Sequence, residues 1–118
     1  ADVQRNDPAA GYRLAESTAE IHAAELLLYD AAARLDQLGA ADDVDPVVNA
    51  SIIRDCGWGV STLADAVDRL YEASGANAMR ADEPIQRLWR DVNAARSHAI
   101  LTWDHAANMY SRALLDSI

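Results

Sequence analysis

Three prolines, each preceded by an acidic residue, divide the chain: Asp7-Pro8, Asp45-Pro46 and Glu83-Pro84. Proline suits the first helical position, where its missing N–H would have no intrahelical partner. The carboxylate before it can accept from free N–H groups and sits at the positive end of the helix dipole. The three sites therefore read as helix starts. Only five glycines and these three prolines interrupt the chain, and Phe is absent. Ala and Leu, strong helix formers, dominate a hydrophobic fraction of 51%, while strand-favouring residues are sparse. With 118 residues the chain is one domain with a single core.

The prolines are evenly spaced, so a helical repeat has to be tested. Aligned on them, Leu14, Ile52 and Arg90 would coincide, as would Ile21, Gly59 and Ser97. No common apolar pattern survives, and the repeat fails.

A first helix is expected from Pro8 or Gly11 to Leu38. Leu14, Ile21, Leu28 and Leu35 fall seven apart, with Ser17, Ala24, Ala31 and Leu38 between them. Such a seam suits a long antiparallel helix pair whose small residues permit close approach. Gly39 is a natural stop, and Ala40 to Asp45 form a polar loop. A second helix should run from Pro46 to about Ser74, with Ile53, Cys56, Val60, Leu63, Val67 and Leu70 as its apolar seam. Gly57 and Gly59 bracket Trp58 within it, at about 1 kcal/mol each relative to Ala. Close helix packing is the simpler reason for them, and backbone approach to a ligand the sharper one. A third helix begins at Pro84 and presents Ile85, Leu88, Trp89, Val92, Ala95 and Ala99. Thr102 can cap a fourth, from Trp103 to Leu115, burying Ala106, Tyr110, Ala113 and Leu114. The expected fold is all-α, an up-and-down four-helix-type bundle.

The net charge of −9 excludes nucleic acid and anionic membranes as natural partners, because both need a concentrated basic surface. All ten basic residues are Arg, which fits genomic base composition. The single cysteine, Cys56, cannot form an internal disulfide and reads as an inert buried thiol, suiting a reducing cytoplasm. No signal peptide or membrane-spanning apolar run is present, so the sequon Asn49-Ala50-Ser51 carries no meaning. The first residue is Ala rather than Met, compatible with an excised segment. A di-iron carboxylate centre needs Glu-x-x-His on two helices. No Glu here has His three residues later, and His22 with Glu25 gives only the reversed order. Metal is therefore not expected. Phosphate loops, Cys-x-x-Cys pairs and nucleophile elbows are absent too.

From Ser74 onward the pattern is more specific. It reads Ser74-Gly75-Ala76-Asn77-Ala78, then Pro84-Ile85-Gln86-Arg87-Leu88-Trp89-Arg90-Asp91, then His98, and last Tyr110-Ser111-Arg112-Ala113-Leu114-Leu115. This resembles the C-terminal domain of the acyl-CoA dehydrogenase superfamily. It is similar in particular to the flavin-dependent monooxygenase branch, the oxygenase components of two-component aromatic and polyketide hydroxylases. Dehydrogenases of the superfamily typically carry Tyr-Glu-Gly-Thr near their C-terminus, and many use that Glu as the base. Tyr110-Ser111-Arg112 lacks it. His98, eight residues after Arg90, matches the histidine that the monooxygenase branch places toward the flavin.

The resemblance implies that residues 1–118 are the C-terminal domain of a larger flavoprotein, inactive alone and assembled as a homotetramer. It implies reduced flavin, FMN or FAD, supplied by a separate reductase. Oxygen would pass through a flavin C4a-hydroperoxide to an aromatic small-molecule substrate. His98 is the expected catalytic residue. Gly75, Ala76 and Asn77 correspond to the loop that approaches the flavin. An imidazole can donate a hydrogen bond to a peroxide or accept a phenolic proton. Asp91 lies two helical turns before His98, where it could orient the ring. Arg87, Arg90 and Asp91 are expected to make ion pairs that hold their helix. Two other readings remain open: an acyl-CoA dehydrogenase-like oxidoreductase, and a stand-alone helical interaction or oligomerisation module.

Overall fold

The computed structural model describes residues 7–40, 42–73, 84–98 and 102–118. Among these residues four helices follow in order: α1 (Pro8–Leu38), α2 (Pro46–Ala73), α3 (Pro84–Arg96) and α4 (Trp103–Asp116). The proline signals place the starts of α1, α2 and α3, and two of the three preceding carboxylates lie among the described residues. Asp7 Oδ1 accepts from the Ala9 N–H at 3.0 Å, and Asp45 Oδ1 from the Val47 N–H at 2.8 Å. Each cap thus takes up a donor that the first helical turn leaves unpaired. Gly39 ends α1 with φ 55°, a conformation open to glycine, and its N–H donates to the Leu35 carbonyl. α3 is shorter than expected. It stops at Arg96, and Ala99 lies outside the described residues.

α2 is the centre of the bundle, with α1, α3 and α4 packed around it. The domain measures 57 × 29 × 24 Å. Its innermost line is made of small residues: Ser17, Ala24 and Ala31 on α1, Ala50, Gly57, Gly59, Ala64 and Ala66 on α2, and Ala106 on α4. Small side chains let helix axes approach, which moves the larger ones to the flanks. Leu14 and Leu35, expected in the α1 seam, are accordingly exposed, and Ile21 and Leu28 are half-buried. On α2, Val67 is buried as expected, but Ile53, Cys56, Val60, Leu63 and Leu70 are half-buried. Ile52 and Asp55 point inward instead.

Gly59 is a close-approach residue. A Cβ there would lie 2.9 Å from Leu28 Cδ2, so α1 occupies the space a side chain would need. Close helix packing therefore accounts for this glycine. On α3, Val92 is buried with Ile85 and Trp89 around it, while Leu88 is exposed. On α4, Tyr110 and Ala113 are half-buried, and Leu114, expected in the core, is exposed. Burial pushes the Cys56 thiol up, away from the thiolate that reactive cysteines need. Among the described residues no helix is long and apolar enough to cross a membrane.

Candidate functional site at the end of α3

Arg, the only basic side chain besides His, ties α2 to each of its neighbours. Toward α1 and α4, the carboxylate of Asp55 accepts from Arg34 of α1 and from Arg54 Nε at 2.9 Å. Arg34 also pairs with Asp30 at 2.9 Å. The Arg54 guanidinium stacks on the Tyr110 ring of α4, 4.3 Å from its centroid. The hydrogen bond to Asp55 raises the Arg54 pKa further, so this guanidinium stays charged at any ordinary pH. A second tie joins α2 to the start of α1. Arg69 makes a bidentate pair with Glu20, at 2.8 and 3.0 Å, and reaches the buried Ser17 hydroxyl at 3.3 Å. Beside it lies an open cavity of about 400 Å³ bounded by Ala10, Gly11, Leu14, Leu70 and Ala73.

The third tie holds α3. Arg96, its last helical residue, donates to Asp65 at 2.5 Å, Asp68 at 2.8 Å and Asn93 Oδ1 at 2.6 Å. Asn93 Nδ2 in turn donates to Asp68 at 3.0 Å and to the Trp89 carbonyl at 2.8 Å. Trp89 stacks on Tyr71, with ring centroids 4.8 Å apart. Burial pushes the Asp68 carboxyl up, but hydrogen bonds from Asn93 and Arg96 outweigh it and hold the pKa below the usual value. A depressed carboxyl pKa stabilises the fold above the unfolded value of about 3.9. That contribution is lost as pH falls through the lower, folded value. Asp68→Asn should therefore flatten the fall in melting temperature below about pH 4. An unchanged acid slope would show that Asp68 is not a source of it.

His98 follows this clamp by two residues. It is exposed, and its backbone N–H donates to the Ala95 carbonyl at 3.1 Å. Ser97 fixes the same turn, with its N–H and Oγ both donating to the Asn93 carbonyl, at 3.2 and 3.0 Å. Because α3 ends at Arg96, the two-turn spacing between Asp91 and His98 does not carry through, and Asp91 lies exposed on the helix. Arg87 and Arg90 are exposed as well, and Arg96 forms ion pairs with Asp65 and Asp68 of α2. Gly75, Ala76 and Asn77 lie outside the described residues. His22 and His105 are exposed.

The sequence reading missed Asp55 and the Arg96 clamp. Asp55 is not among the apolar residues whose spacing defines the α2 seam, so that pattern gives no sign of its burial. Asp68 and Arg96 are on different helices, so no local spacing connects them.

Residues 1–103 match the family model described as acyl-CoA dehydrogenase, C-terminal domain. The oxygenase subunit HsaA of a flavin-dependent monooxygenase from Mycobacterium tuberculosis is 36% identical over 80% of the chain and 24% of its own length. The oxygenase component of an FADH(2)-dependent resorcinol hydroxylase from a Rhizobium species is 31% identical over 92% of the chain and 28% of its own length. The crystal structure of 3-HSA hydroxylase from Rhodococcus sp. RHA1 superposes with a TM-score of 0.79 at 33% identity, covering 95% of the chain and 30% of that protein. The chain thus spans less than a third of the relatives it matches. The likeness in sequence and in helix arrangement extends from α1 into α4, and the chain belongs to the acyl-CoA dehydrogenase C-terminal domain family.

Proposed function

We propose that these 118 residues are the C-terminal helical domain of a larger reduced-flavin-dependent monooxygenase, the oxygenase component of a two-component system that hydroxylates an aromatic or polyketide substrate. The observation that carries this reading is His98, an exposed imidazole just beyond the end of α3, in a chain whose Tyr110-Ser111-Arg112 lacks the dehydrogenase base. The names of the relatives support it, since both oxygenases and the hydroxylase act through oxygen chemistry.

His98 would stand in one wall of a flavin site, at its reacting end. An exposed imidazole can face a ring brought by another part of the protein. Arg96 and Arg69 are already paired with carboxylates, so they do not suit the cofactor's phosphates, which would be held elsewhere. Gly75, Ala76 and Asn77 would approach the ring. Reduced flavin, FMN or FAD, activates oxygen for transfer to the substrate. In this chain His98 would hold or move a proton during that transfer.

The surface is consistent with a larger assembly. Tyr12, Leu26 and Tyr29 stand exposed on the side of α1 opposite Ser17, Ala24 and Ala31, and Leu115 and Ile118 are exposed at the end of α4. A helix apolar on both faces is normally covered on both. Other domains of a longer polypeptide and further subunits of a homotetramer would cover it. The remaining partners are a flavin reductase and a small aromatic substrate in the cytoplasm.

The test uses the whole oxygenase polypeptide, its reduced flavin, labelled molecular oxygen and a panel of substituted phenols. Label in the hydroxylated product is the expected result. Flavin reoxidation without product, together with flavin reduction by an acyl-CoA, would replace this reading with the dehydrogenase one.

A further inference from the structure

We infer that Arg96 is the positioning residue of His98, acting through the clamp it makes with Asp65, Asp68 and Asn93. The inference rests on the oxygenase reading for its chemical consequence, but its geometry is independent of it.

α3 has 13 residues, a length at which a helix in water is marginal without tertiary support. Its buried contacts lie toward the middle and start: Val92 is buried, with Trp89 and Ile85 beside it. Beyond Val92, the last turn keeps its place through polar bonds. Arg96 is the hub of those bonds. Its guanidinium reaches two carboxylates on α2, at 2.5 and 2.8 Å, and the Asn93 side chain one turn back. As a cation in the last turn it also lies at the negative end of the helix dipole.

Asn93 joins this clamp to the segment that follows. Its side chain bonds to Asp68 and Arg96, while its carbonyl accepts from both the N–H and the Oγ of Ser97. The chain of hydrogen bonds therefore runs from α2 through Arg96 and Asn93 to Ser97, the residue before His98, whose own N–H donates to the Ala95 carbonyl. Asp65 and Asp68 set where the helix ends, and so where the imidazole begins.

A group in proton transfer has to be held within a fraction of an ångström, and about 1 Å of displacement can cost about a hundredfold in rate. Losing the fork would loosen the last turn without emptying the core. A fork-to-point-charge change, Arg96→Lys, keeps the charge but loses the multidentate geometry. The expected result is a loss of about tenfold in product formed per flavin oxidised for Arg96→Gln, and a smaller loss for Arg96→Lys.

The test is a double-mutant cycle in the whole oxygenase, measuring product per flavin oxidised for Arg96→Gln, His98→Ala and the pair. Arg69→Gln serves as the control, because it breaks an interhelical ion pair of the same kind that joins the same end of α2 to α1 rather than to α3. Product per flavin should fall in Arg96→Gln, hold in Arg69→Gln, and fall no further when Arg96→Gln is added to His98→Ala. Additive losses in the pair, or an equal loss in Arg69→Gln, would make Arg96 merely structural and overturn the inference. Should Arg96→Gln fail to fold, Arg96→Lys takes its place in the same cycle. A silent His98→Ala would remove the catalytic reading of His98, and the geometry is then decided by NMR of histidine-labelled protein. A His98 signal that shifts or broadens in the Arg96 variant supports positioning, and an unchanged one overturns it.

Discussion

Asp55→Ala is expected to destabilise the bundle by about 2–3 kcal/mol, read as a fall in the urea unfolding midpoint. Asp55 is a charged residue that the fold buries, and its carboxylate joins α2 to α1 and holds the Arg54 guanidinium that stacks on Tyr110 of α4. Removing one partner of a buried pair leaves the others desolvated and uncompensated, at about 3–5 kcal/mol in a fully buried case. Here Arg34 keeps Asp30 and is 30% exposed, so the lower figure applies. Arg34→Met should cost a similar amount, and in its background Asp55→Ala should cost much less, because the two share one interaction. Additive losses in the double variant would show that the carboxylate and the guanidinium stabilise the fold separately.

His98→Ala is expected to lower hydroxylated product per flavin oxidised by about a hundredfold in the whole oxygenase, the lower end of what a positioned acid or base contributes. The side chain is exposed at the end of α3, and its neighbours in the chain bond through their own groups. Its loss therefore leaves the clamp at Arg96 in place. Full coupling in the variant would return His98 to an incidental surface position. A large loss of stability together with coupling would place its importance in the fold instead.

Much of the architecture was legible because it is local. A carboxylate before proline acts within one turn, so Asp7-Pro8 and Asp45-Pro46 announced their helices without reference to anything distant. Gly39 likewise ended α1 by its own backbone freedom. The apolar spacing showed that α1 and α2 pair, since burying a stripe of that length requires a second helix. Rotation about each axis was not legible. Leu14 and Leu35 have the right period to be core, yet Ser17, Ala24 and Ala31 take the innermost line. Period alone cannot tell whether the large or the small residues of a seam face the partner, because the answer depends on how closely the axes approach.

The candidate site was legible only in its chemistry. His98 stood out by its distance from Arg90 within a family-like segment, and that required no structure. Its supposed partner Asp91 was inferred from helical spacing, and the helix stops too soon for that spacing to hold. The carboxylates that hold Arg96 at the end of α3, Asp65 and Asp68, belong to another helix.

The sequence by itself determined four helices, their order, their starts and the absence of a dehydrogenase base at Tyr110-Ser111-Arg112. These follow from propensity, capping and residue identity, which act over a few bonds. Only the tertiary structure decided that α2 is the hub, that Asp55 is buried among arginines, and that Arg96 ties the last turn of α3 to α2. Those outcomes depend on pairs such as Arg34 with Asp55 and Arg96 with Asp68, whose energies exist only once separate helices have packed.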